Sequence, residues 1–109
     1  MIQANLITAF FDFDQGRVEF NHGRHRAILY GRYWYPMRAI ANHARRLAEE
    51  EPDLTTNRAI KAILDLGFIM RMKWVEFNDD APVPLSDQEV VDEVHEFTMY
   101  LERLTRRLG

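Results

Sequence analysis

Cysteine is absent from this 109-residue chain. Disulfides, thiolate zinc sites and a thiol nucleophile are thereby excluded. Lysine is scarce, with only Lys61 and Lys73 beside twelve arginines. No apolar run approaches the roughly 18 residues of a membrane span. The opening MIQANLITAFFDFDQG has no basic start, and Asp12 and Asp14 interrupt its apolar part, unlike a signal peptide. We therefore expect a cytoplasmic chain with no membrane partner. Metalloprotease HExxH, P-loop, GxSxG and paired-carboxylate motifs are also missing, so we expect no catalysis and no cofactor. His22 and His25, spaced HxxH, lack a third ligand nearby, and no metal site is expected. Asp12, Asp14, Asp79 and Asp80 sit in loop-like contexts and read as surface charges.

What is present is unevenly distributed. The formal charge of −3 hides a basic stretch. Residues 17–46 hold seven arginines (Arg17, Arg24, Arg26, Arg32, Arg38, Arg45 and Arg46) against one acid, Glu19. Acids gather elsewhere, at Glu49 to Asp53 and from Asp87 to Glu102. The length suits one domain with one core. Its expected parts are an α+β body over 1–77, a loop over 78–85 and a helix over 86–108.

Residues 2–13 fit both a helical face and strand alternation, and we lean to helix. Arg26–Tyr30 and Arg32–Tyr35 read as two strands around a tight reversal at Gly31. The aromatic cluster Tyr30, Tyr33, Trp34 and Tyr35 then reads as hairpin and core packing in preference to a base-stacking platform. Pro36 suits the first turn of a helix, and Met37, Ile40, Ala41, Ala44 and Leu47 follow as an apolar stripe. That helix should end near Glu50, before Pro52. A second helix runs over 55–66 and stops at Gly67. FIMRMKWVEF (68–77) reads as a strand.

Two helices, a proline-bearing turn and a strand follow the order of a winged helix–turn–helix. On that reading the chain binds DNA. Arg38, Asn42 and Arg45 from the first helix and Asn57, Arg58 and Lys61 from the second form the contact set, with Arg24, Arg26 and Arg32 on further phosphates. The expected fold is thus α+β: a small sheet, a winged-helix-like core and a long C-terminal helix.

The last helix has the clearest start in the chain, with Ser86 and Glu89 as a capping box. Val90, Val94, Phe97, Leu101, Leu104 and Leu108 follow at alternating steps of four and three. This seam, centred on Val94, Phe97, Leu101 and Leu104, either covers the domain's own core or pairs outside it, as in a homodimer. The alternative function is accordingly a protein-interaction module, such as a phage-encoded inhibitor or an adaptor of a defence complex.

Two stretches, AILYGRYWYPMRAIANHA (27–44) and TTNRAIKAILDLGF (55–68), resemble the N-terminal head domain of McrA-type, modification-dependent HNH endonucleases. Gly31, Tyr35, Ala39 and Ile40 match the family's turn-and-helix motif, and Asn57, Leu66, Gly67 and Phe68 match its second helix. Arg38 stands where the family carries lysine. FDFDQGRVEF is loosely similar to the family's opening helix, so the resemblance spans about residues 10–70. The nuclease module has no counterpart. The resemblance implies a DNA-recognition or accessory part standing alone, from a defence system, a mobile element or a phage.

Overall fold

The computed structural model describes residues 1–108. It is an α+β fold of four helices and a four-stranded antiparallel sheet. The first helix, α1 (Gln3–Asp14), confirms the helical reading of the N-terminal stretch. It turns Leu6, Ala9, Phe10 and Phe13 inward at helical spacing and ends before Gly16, whose φ is 72°. Strands β1 (Gly23–Tyr30) and β2 (Tyr33–Pro36) form the expected hairpin, with Tyr30 opposite Tyr33 and Ile28 opposite Tyr35. Gly31 takes the first turn position at φ 64°, a left-handed value that glycine adopts without a Cβ penalty.

Helix α2 (Met37–Leu47) starts directly after Pro36. It stops about a turn earlier than expected, where Glu49 adopts φ 58°. Its connection to α3 (Thr56–Asp65) spans residues 48–55, longer than the three or four residues of a helix–turn–helix. Thr55 caps α3 by accepting the Arg58 backbone N–H at 3.3 Å. The strand that follows, β3 (Met72–Phe77), begins four residues later than expected, because residues 68–71 carry the chain from α3 to the sheet. It pairs with β1 and is no free wing.

A two-residue strand, β4 (Val83–Pro84), pairs with β2 inside the segment expected to be loop. It completes the order β3-β1-β2-β4. Pro84 has no N–H to donate, which suits this edge position.

Strand alternation divides the core. Ile28, Tyr35 and Met72 face the three helices, where Leu6, Phe10, Phe13, Met37, Ile40 and Ile63 are buried. Ala27, Trp34, Val75 and Phe77 form a smaller cluster on the opposite face, covered by Leu85 and Phe20. Tyr35 lies edge-on to Phe10 and Phe13, with centroids at 4.9 and 5.4 Å. Its hydroxyl donates to Asp14 Oδ1 at 2.8 Å. Tyr35 and Trp34 are thus core packing as the sequence suggests, Tyr30 stacks on Phe10 at 4.1 Å from a half-exposed position, and Tyr33 stays exposed beside the turn.

Burial of the ring, then the hydrogen bond to Asp14 and that carboxylate's negative charge, hold the Tyr35 phenol well above its ordinary ionisation range. A raised folded-state value favours the neutral phenol, so this stability is fully present below the unfolded value near pH 10 and is lost as pH rises beyond it. Tyr35→Phe should therefore flatten the alkaline decline in stability, as read by urea midpoints between neutral pH and pH 11. An unchanged alkaline slope would refute the assignment to Tyr35.

Candidate interaction surfaces

The basic stretch does not present one uniform face. Asn42 does not point outward as expected. Its Nδ2 donates to the Leu54 carbonyl at 3.1 Å and its Oδ1 accepts the Leu54 N–H at 2.8 Å. Leu54 is buried, so these two bonds satisfy a backbone unit that water cannot reach. Arg45 is engaged as well, with Nη1 3.2 Å from the Glu51 carbonyl and 3.3 Å from Asp53 Oδ1. The cause is the longer connection, which folds back over α2 and takes up both polar side chains.

The residues that remain on α2 line a groove. One part, 750 Å³ in volume, is bordered by Arg17, Glu19, Asn21, His43, Arg46 and Asp80. The adjoining part, 330 Å³, adds His25, Arg38 and Pro52. Arg38 and Arg46 have no ion-pair partner among the described residues. They lie two helical turns apart, about 12 Å at 1.5 Å per residue.

Asp12, the partner of the groove residues His43 and Arg17, is not the surface charge expected from its context but is 9% exposed. Its Oδ2 lies 2.9 Å from His43 Nε2, and its Oδ1 lies 3.5 Å from Arg17 Nη1. The buried acid thus ties α1 to α2. Its burial was legible only as an acid at the margin of α1's apolar face. Asp14 accepts from Tyr35, and Asp80 pairs with His22 at 2.6 Å. His22 and His25 do not converge on a metal. Among the described residues, no group of three His, Cys, Asp or Glu side chains is arranged to hold one.

The other expected DNA contacts are dispersed. Arg24 and Arg26 sit over the exposed Trp74 ring, at 5.8 and 5.7 Å from its centroid. Asn57, Arg58 and Lys61 are exposed on α3. Arg32 occupies the β1–β2 turn, about 23 Å along the strand from Arg24 at 3.3 Å per residue.

The second surface is the C-terminal helix, α4 (Asp87–Leu108). Its capping box is present: Ser86 N donates to Glu89 Oε1 at 3.0 Å, and Glu89 N donates to Ser86 Oγ at 3.2 Å. Glu89 also accepts the Trp34 indole N–H at 3.1 Å and pairs with Lys73 at 3.0 Å. Burial pushes the Glu89 carboxyl up, but the hydrogen bonds from Ser86 and Lys73 outweigh it and leave it below the ordinary range. One turn on, Arg71 pairs with Glu93 at 3.5 Å and with Glu96.

Polar contacts fasten the root of α4, and they use the flank beside its apolar seam, with Glu93 adjoining it. No residue of α4 is buried. Val94 and Phe97 are each 61% exposed, Leu101 45% and Leu108 89%. Of the two roles open to the seam, covering the chain's own core is not the one it takes. Among the described residues, no helix is long and apolar enough to cross a membrane. No family model matches this chain, and neither curated proteins nor solved structures give a match.

Asn42→Ala should destabilise the fold by about 2–3 kcal/mol, because it strands a buried N–H and C=O together. Arg46→Ala, which breaks no bond in the structure, should change stability by less than about 0.5 kcal/mol. Urea unfolding of the two variants checks the contrast, and equal effects would show that Asn42 is not the clamp.

Proposed function

We propose that this chain is a protein-interaction module that works through α4. The observation carrying this reading is a 22-residue helix, about 33 Å long, whose continuous apolar seam touches no core of its own. Contiguous exposed apolar surface of this kind marks interaction sites on soluble chains. The test places a photo-reactive phenylalanine analogue at position 97 in the native cells, with position 58 as the control. Covalent adducts should form from 97 and disappear when Leu101→Glu is added. Thermal unfolding of Leu101→Glu should stay within about 0.5 kcal/mol of the parent, because the residue is exposed. Equal adduct yields from positions 97 and 58 would sink the reading.

A second reading, DNA binding, is favoured by the unpaired Arg38 and Arg46 sharing one groove with Arg17. It also agrees with the resemblance to the McrA-type head domain. The contact set on this reading is Arg17, Arg38 and Arg46, with Arg24 and Arg26 beside Trp74, and with Asn42 and Arg45 removed. Duplex affinity should fall steeply between roughly 50 and 200 mM salt, since each neutralised phosphate releases counterions. Arg38→Glu with Arg46→Glu should abolish it while leaving the adducts from position 97 intact. Affinity indifferent to salt and to that double substitution would overturn this reading.

A further inference from the structure

Resting on the α4 reading, we infer that the occupant of the seam is a second copy of α4, running antiparallel. Residues 87–96 carry five acids (Asp87, Glu89, Asp92, Glu93 and Glu96) and no lysine or arginine. Residues 102–108 carry Arg103, Arg106 and Arg107 against Glu102 alone. A parallel pair would set acidic half on acidic half and basic half on basic half. An antiparallel pair sets each acidic half beside the other copy's basic half, and flanking charges of this kind decide helix orientation.

The register follows from the seam itself. Alternating steps of four and three define two seam positions per heptad, and antiparallel helices pair one kind with the other. The alignment that uses all six residues places Val90 on the second copy's Leu108, Val94 on its Leu104 and Phe97 on its Leu101. The two-fold axis repeats each layer with the roles exchanged. The same alignment brings Glu93 beside Arg107 of the second copy, and Arg107 beside its Glu93. Of the charges on the two halves, Glu93 and Arg107 are the pair that flanks the seam, and the register set by the seam is the one that brings them together.

The body leaves this arrangement open. Glu96 makes the closer contact to Arg71, while Glu93 stands off at 3.5 Å with about a third of its side chain exposed. It can therefore serve Arg71 and a second copy's arginine together. The body contacts use Glu89, Glu93 and Glu96, whereas Val90, Val94, Phe97 and Leu101 lie around the helix from them.

The chain has no cysteine, so introduced thiols report without background. In the proposed pair, positions 94 and 104 of opposite copies meet, while the two copies of position 94 lie about 15 Å apart along the axis. Val94→Cys mixed with Leu104→Cys should give a disulfide-linked heterodimer, while each alone stays unlinked. Linking of Val94→Cys with itself would overturn the antiparallel orientation. Arg107→Glu, which touches no ion pair among the described residues of the single chain, should weaken self-association roughly tenfold, because it turns two attractive flanking contacts repulsive. Adding Glu93→Gln, which leaves Glu96 on Arg71, should recover part of the lost affinity, and no recovery would overturn the register. Sedimentation of the unmodified 109-residue chain should show a monomer–dimer equilibrium. A monomer at every concentration would end the self-pairing proposal, yet adducts from position 97 would then still uphold α4 as the site of a different partner.

Discussion

Everything in the body depends on how Tyr35 is held. Its ring is flanked by Phe10 and Phe13 of α1, and its hydroxyl is bound by Asp14 at the end of the same helix. Tyr35 also sits opposite Ile28 in the β1–β2 ladder. One side chain therefore joins the first helix to the hairpin. A slip of one residue in the ladder would turn Tyr35 to the other face of the sheet and put Trp34 among the helices. Such a slip would lose the tyrosine's acceptor and place the indole away from Glu89. Because Pro36 follows at once, the same register also sets where α2 begins, and hence where Arg38, Asn42 and Arg46 lie.

From that fixed point the two halves of the structure obey different rules. Helices α1, α2 and α3 are joined to the sheet mainly by apolar burial, with Asn42 and the Asp12–His43 pair satisfying what is polar inside. The fourth helix is joined to the opposite face through Glu89, Glu93 and Glu96 meeting Trp34, Lys73 and Arg71. Ion pairs at an exposed surface contribute little individually, about 0–1 kcal/mol each. The helix is thus oriented by its charges while its apolar seam remains free, which is why the interaction reading attaches to α4 and not to the groove.

Strong local signals were legible in the sequence. The amphipathic stripe of α2, the Gly31 reversal and the Ser86–Glu89 box each act within a few residues, and each lies where its chemistry puts it, whereas residues 2–13 fitted two periods and only packing of Leu6, Phe10 and Phe13 decides for α1. Properties set by distant segments were not. Asn42 and Arg45 share a helix face with Arg38, so periodicity alone offers them to solvent. Only the return of residues 51–54 over α2 engages them. Asp12 looked like a surface charge because its partners, Arg17 and His43, come from a turn and another helix. Strand β4 escaped notice because two residues, Val83 and Pro84, are too few to carry an alternation. The seam of α4 was visible in full, but periodicity cannot say whether a stripe meets its own body.

The exposure of α4 also divides the thermodynamics of the chain. Hydration of apolar surface sets the heat-capacity change of a folding or binding step. The seam stays wet in the single chain, so unfolding of the body carries little of its contribution. Any association that covered the seam would add that portion, since burial of apolar surface lowers the heat capacity. Calorimetric unfolding of the single chain therefore describes the α1–α3 core and the sheet, and burial of the α4 seam would register separately from it.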